Sequence, residues 1–228
     1  MKLETVSLKV LSAMGQTKAA CAEEKQTSLV YDEEYEPGDR IMLSVSKAGG
    51  YYVLQLEDTL APALVYVTRP EVEYRIPHGD DRIVFSPKSF SGRRHLIRAR
   101  IARPEEVAAR RNLAFNPYDR HGDTGIYPHA RANVETRGEA VFAAYNAIDG
   151  IYENGSHGEW PYQSWGINRD PNAEWTLYLR QAGGHRRTAA DTAGGLPARQ
   201  LVGKRCRRVF GRQRRNVGVE KGESSTGV

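Results

Sequence analysis

Turn-forming residues interrupt the first hundred residues at intervals of about eight to twelve, and this spacing limits what the chain can fold into. Between the turns lie short segments rich in Val, Ile, Leu and Tyr, which favour extended backbone. The segments are residues 27–31, 40–45, 51–56, 64–68, 72–76, 82–85 and 95–101, and the turns are residues 36–39, 47–50, 77–80 and 91–92. We therefore predict an all-β fold that opens with an antiparallel β-sandwich-like domain over residues 1–103.

A proline followed by two acids marks the end of this first domain. Pro104, Glu105 and Glu106 suit the first turn of a helix, where proline needs no backbone donor and acids lie beside the positive helix end. We predict a helical connector over residues 104–111. Beyond it the chain has long polar loops, the kind that usually present a binding surface, with strands predicted at residues 130–135 and 174–179.

Three sequence marks follow one another in this second region. They are Phe-Ala-Ala-Tyr-Asn-Ala-Ile-Asp-Gly at residues 142–150, Trp165-Gly166, and Asn-Ala-Glu-Trp-Thr-Leu-Tyr-Leu at residues 172–179. In order and spacing they resemble the galactose-binding-like jelly roll, the carbohydrate-binding domain of the discoidin and coagulation factor five/eight type C kind. The string at residues 157–168 is also similar to bacterial proteins that pair this domain with an N-terminal β region. The resemblance covers residues 112–179 and implies a partial jelly roll there.

The loop of residues 154–169 carries the side chains that a sugar site needs. Aromatic rings offer flat faces for stacking, and the imidazole, amide and guanidinium groups can bond to hydroxyls. The predicted ligand-binding residues are His157, Trp160, Tyr162, Trp165, Asn168 and Arg169. For Trp165 and Trp175 the alternative is burial in the core, where large aromatic residues usually lie.

The Asp149-Gly150 turn has two interpretations. One is a turn in which the carboxylate bonds to nearby backbone and glycine supplies a positive φ. The other follows from the resemblance, since many relatives hold a structural calcium ion beside this turn. Asp149 and Asn154 would then supply hard oxygen ligands, and calcium would be the cofactor.

The sequence argues against an enzyme. It contains no Gly-x-Ser-x-Gly elbow, phosphate-binding loop, His-Glu-x-x-His motif or dinucleotide-binding fingerprint. We predict non-catalytic binding of a carbohydrate. A hydrolase remains the alternative, with metal ligands or a glycosidase acid pair drawn from His121, Asp123 and His129, or from Asp149 with Glu159 or Glu174.

The basic charge of the chain lies at its C-terminal end. From Arg180 onward there are twelve Lys/Arg against three Asp/Glu, a net charge of +9, which leaves −4 for residues 1–179. A nucleic-acid-binding arm at residues 204–215 is one interpretation. The other is translation in the wrong reading frame after about Leu179, because GC-rich DNA read out of frame yields Arg, Gly and Ala. We favour the frameshift and expect a disordered tail over residues 180–228, no nucleic-acid partner, and an unpaired edge at residues 174–179.

The remaining features bear on location. No run of about 18 apolar residues and no secretory hydrophobic segment occurs, so we expect a cytoplasmic protein with no membrane partner. Cys21 and Cys206 are far apart and lack zinc-site spacing, so neither a disulfide framework nor a zinc site is expected.

Overall fold

The computed structural model describes residues 4–153, 158–161, 163–181 and 184–189, with residues 180–181 and 184–189 described through their backbone. Strands dominate the described part. They are β1 (Val6–Leu11), β2 (Thr17–Ala20), β3 (Gln26–Tyr31), β4 (Arg40–Val45), β5 (Gly50–Gln55), β6 (Ala63–Val67), β7 (Glu71–Arg75), β8 (His95–Ile101), β9 (Ile126–Tyr127), β10 (His129–Ala132), β11 (Trp175–Gln181) and β12 (Gly184–Ala189). The helices are α1 (Pro104–Ala108) and the 3₁₀ turns Gly79–Arg82, Thr136–Gly138, Ala140–Phe142 and Ala144–Ala147.

The strands form three antiparallel sheets. One has the order β2-β1-β4-β7, the second β3-β8-β5-β6-β9, and the third β10-β11-β12. Every described pairing between these strands is antiparallel. The prediction of an all-β fold is confirmed.

Alternation of apolar and polar residues places one face of each strand inside. In β4, Ile41, Leu43 and Val45 are buried while the residues between them are partly exposed. β3, β6 and β7 repeat this period of two, as expected for strands with one face on a core. The first two sheets share one hydrophobic core, in which each fully buried Leu, Ile or Val contributes about 1.5–3 kcal/mol.

Most of the predicted strands of the first region lie within one residue of the observed ones, but two observed strands were missed and one prediction is wrong. β1 and β2 were not predicted as strands. The predicted strand at residues 82–85 is wrong, because this segment ends a 3₁₀ helix and turns, with Phe85 N–H donating to the Arg82 carbonyl at 3.0 Å. Val84 and Phe85 are buried all the same. The apolar character of these two residues therefore predicted their burial correctly, but it did not predict that the backbone forms a turn and not a strand.

The second region packs onto the first core. Tyr118, Ile126 and Phe142 belong to the same buried cluster as the strands of the first two sheets. β9 joins the second sheet by pairing Tyr127 with Tyr66 of β6. α1 lies within the predicted connector. The domain bounds 1–103 and 112–179 stay a prediction, although apolar contacts continue across them.

The third sheet covers a smaller core. Ala130, Ile148, Trp175 and Leu177 are buried in it, beside the short helix Ala144–Ala147. β11 pairs with β10 on one side and β12 on the other, so the predicted unpaired edge at residues 174–179 is wrong. Strand pairing therefore continues to residue 189, past the predicted start of the tail. Residues 190–228, which include the basic segment at 204–215, lie outside the described residues.

Candidate functional site

The three tryptophans have different environments. Trp175 is 4% exposed, and its indole N–H donates to the Ala144 carbonyl at 3.0 Å. The indole N–H of Trp165 donates to the Val134 carbonyl at 2.9 Å, and its ring packs beside the smaller core. Trp160 is 38% exposed, and its backbone N–H donates to the Ile83 carbonyl at 3.2 Å. Two indoles thus bond to the backbone within the fold, whereas Trp160 is partly exposed to solvent.

Asn168 and Arg169 line a groove of about 830 Å³. Both have a positive φ, 48° and 58°, a conformation that costs free energy for residues other than glycine. The Asn168 N–H donates to Thr136 Oγ1 at 2.9 Å, which fixes this turn against the opposite wall. On that wall Arg137 forms an ion pair with Glu139. The groove thus offers amide, guanidinium and carboxylate groups within one concave surface.

A close backbone contact holds the loop in place. Gly166 donates its N–H to the Phe142 carbonyl at 3.0 Å and accepts from the Thr136 N–H at 2.9 Å. A Cβ at position 166 would lie 2.5 Å from Thr136 Oγ1 and 2.8 Å from Phe142 Cβ. Only glycine allows this approach without displacement of its neighbours. The Trp165-Gly166 pair is therefore explained by packing.

Asp149 closes its turn as the first interpretation expected. Its Oδ1 accepts from the Ile151 N–H at 2.8 Å, and its Oδ2 accepts from Gln163 Nε2 at 2.7 Å. Burial raises the pKa of Asp149 to about 7. Gln163 Oε1 is buried and has no hydrogen-bond partner among the described residues. The turn thus holds the Asp149 carboxylate against the amide of Gln163.

His157, Tyr162 and Asn154 lie outside the described residues. The structure brings Asn168 and Arg169 together in one groove, and it places Trp165 against the smaller core. The assignment of all six residues to ligand binding stays a prediction.

The residues considered as metal ligands each face a partner of their own. His121 Nε2 lies 2.8 Å from Glu135 Oε2, and His129 Nδ1 lies 2.7 Å from Asp119 Oδ1. Asp123 pairs instead with an arginine from another turn. Among the described residues no group of three or more His, Cys, Asp or Glu side chains could hold a metal ion.

Comparisons with models of protein families, with curated proteins and with solved structures find no match for this chain. Within the described residues, none of the helices has the length and apolar character needed to cross a bilayer.

Proposed function

We propose that this chain binds a carbohydrate without catalysing its conversion, using the surface around Trp160. The observation that supports this most directly is the 38% exposure of Trp160, whereas the other two tryptophans give their indole N–H groups to backbone carbonyls. A flat aromatic face open to solvent stacks against the C–H face of a sugar ring.

The groove beside this loop supplies the polar half of such a site. Gly158, two residues before Trp160, lines it together with Asn168 and Arg169. The amide of Asn168 can both donate and accept, and Arg169 donates. Sugar hydroxyls require this mixture, because each of them donates one hydrogen bond and accepts others. The aromatic ring and the polar groove together favour a hydroxyl-rich ligand over a purely apolar one.

We further propose a structural calcium ion beside Asp149. Calcium takes six to eight oxygen ligands, and the described residues offer the Asp149 carboxylate and the unpartnered Gln163 Oε1. This is part of a coordination shell, and Asn154 lies outside the described residues. A bound cation would favour the ionised form of Asp149, whose pKa burial raises to about 7. The ion would stabilise the loop and would take no part in chemistry.

A glycan array on the full chain tests the binding function, followed by titration of the best sugar into variants. Trp160→Ala should weaken binding by about 1–3 kcal/mol, the usual range for stacking on one aromatic ring. Tyr152→Ala is the matched control, because Tyr152 is another aromatic residue of this region and is 58% exposed. Equal affinity in the two variants, or no sugar retained above background, would contradict the proposal. Hydrolysis of an aryl glycoside by the wild-type chain would favour the enzyme instead.

A further inference from the structure

A second cavity, of about 840 Å³, lies along β10. It shares no lining residue with the groove at Asn168 and Arg169. His129 and Arg131 of β10 line it, two residues apart and therefore on one face of the strand. Ala130, between them, belongs to the smaller core. Tyr178 of β11, which pairs with His129 across the sheet, lines the same cavity. The cavity thus combines cationic, aromatic and hydrogen-bonding side chains.

His129 is held rigidly in this cavity. Asp119 is fully buried, and its Oδ1 accepts from His129 Nδ1 at 2.7 Å while its Oδ2 accepts from the Ala130 N–H at 2.7 Å. A carboxylate on Nδ1 fixes the tautomer and ring orientation of a histidine. The imidazole also stacks on Tyr178, with ring centroids 6.1 Å apart. Its Nε2 makes no hydrogen bond within the described part of the chain.

The carboxylates around the cavity already have partners. Asp119 pairs with His129, and Asp123 pairs with Arg69 from the loop after β6. Glu135 is bound on one oxygen by His121 Nε2 at 2.8 Å and on the other by the Ala144 N–H at 2.8 Å. Arg131, in contrast, forms no ion pair with any described residue. The groups left for a ligand are thus donors, the Arg131 guanidinium and His129 Nε2.

We propose that this cavity binds a small hydroxyl-bearing carboxylate of the sugar-acid class, with its carboxylate between His129 Nε2 and Arg131. Two donors of this kind suit an oxyanion, and guanidinium–carboxylate hydrogen bonds are among the strong ones in proteins. Tyr178, on the same face of the sheet as His129, supplies an aromatic wall for the carbon skeleton. His121 lines the cavity as well, and its Nδ1, which is not used in the pair with Glu135, can bond to a hydroxyl. A volume of about 840 Å³ accommodates a ligand of monosaccharide size with water.

The charges that face His129 favour its cationic form. Burial lowers the pKa of His129, and the positive charge of Arg131 lowers it further. The hydrogen bond and negative charge of Asp119, together with the charge of Asp123, outweigh both effects, so the pKa of His129 is raised. A protonated ring donates from both nitrogens. Carboxylate binding should therefore weaken as the pH rises through the His129 pKa.

Calorimetric titration of the full chain with glucuronate and with glucose tests this proposal. The two sugars differ by the carboxylate, so glucuronate should bind at least about ten-fold more tightly, as expected for loss of a charged hydrogen bond. Arg131→Gln should weaken glucuronate binding by about ten-fold or more. Arg98→Gln is the matched control, since Arg98 is exposed on β8 and lies outside the cavity lining.

The Trp160→Ala variant separates this site from the one under the proposed function. This variant should bind glucuronate as tightly as the wild-type chain. Loss of glycan binding in Trp160→Ala therefore tests the proposed function, and loss of glucuronate binding in Arg131→Gln tests the carboxylate site independently. Three results would overturn the inference. They are no glucuronate binding, equal affinity for glucose and glucuronate, and equal affinity in Arg131→Gln and Arg98→Gln.

Discussion

Arg120 links the second region to the first core, and its replacement by Met should destabilise the whole fold. Its guanidinium lies 4.5 Å from the Phe85 ring centroid, 5.0 Å from that of Tyr145 and 5.4 Å from that of Tyr74. Nη2 also donates to the Tyr74 hydroxyl at 2.7 Å. Tyr74 and Phe85 belong to the first region and Tyr145 to the second, so one side chain contacts aromatic residues of both.

The expected loss follows from these contacts. A charged hydrogen bond contributes about 1.5–3 kcal/mol, and a cation–π contact at a partly exposed site about 0.5–1 kcal/mol. The contacts share one guanidinium and are not additive, and Met retains much of the apolar packing of the arginine stem. We expect Arg120→Met to lower the free energy of unfolding by about 2–3 kcal/mol. Arg120→Lys should recover only part of this, since an ammonium cannot present a planar face to three rings.

Urea denaturation followed by tryptophan fluorescence and by far-ultraviolet circular dichroism measures this loss. Because the two regions share a core, both signals should report one transition in the wild-type chain. Arg98→Met is the control, and as an exposed substitution it should change stability by less than about 0.5 kcal/mol. If Arg120→Met shifts the transition no more than Arg98→Met, the aromatic contacts do not stabilise the fold and the argument is wrong.

Three further predictions concern stability. Burial raises the pKa of Glu57 to about 7, so between its ordinary pKa and pH 7 the folded chain keeps this proton while the unfolded chain loses it. The contribution of Glu57 to the free energy of unfolding is therefore favourable at low pH and is lost as the pH rises to about 7. In urea titrations, Glu57→Gln should lose less stability than the wild-type chain between about pH 5 and pH 7.5. Calcium should raise the melting temperature of the wild-type chain and leave that of Asp149→Ala unchanged, whereas identical curves with calcium and with chelator would leave only the hydrogen-bonded turn. Trp165→Ala should cost roughly 3–5 kcal/mol in urea unfolding and Trp160→Ala much less, because Trp165 packs on the smaller core; equal losses would place both rings in equivalent environments.

The strands could be predicted where alternation and turns coincide. β4 and β8 have the predicted bounds, because each has a buried face of period two and a turn before it. At residues 82–85 the same apolar signal failed. A turn that follows a 3₁₀ helix can bury Val84 and Phe85 as well as a strand can, and only contacts distant in sequence decide between them.

The candidate sites could be predicted in part. The loop of residues 154–169 combines aromatic and polar residues in sequence, so an exposed tryptophan in it could be predicted. Which tryptophans are instead held inside the fold could not be predicted, because the indoles of Trp165 and Trp175 each bond to a carbonyl 31 residues away. The cavity at His129 had a weaker signal. Its lining residues come from β9, β10, β11, the loop before β9 and the segment after β10. No local pattern pairs Asp119 with His129 or Glu135 with His121.

The segment at residues 118–121 connects that cavity to the first core. Tyr118 is buried in the first core and donates its hydroxyl to the Ala61 carbonyl at 3.0 Å, while its neighbour Asp119 holds His129. Arg120 returns to the aromatic residues of the core, and His121 bonds Glu135 at the cavity wall. Alternate residues therefore fasten the chain to the core and direct its polar groups to the cavity. A ligand entering such a cavity finds the His129 ring already positioned, so little ordering free energy opposes its hydrogen bond to this donor. The same coupling means that loosening Arg120 should weaken glucuronate binding as well as stability, although Arg120 does not line the cavity.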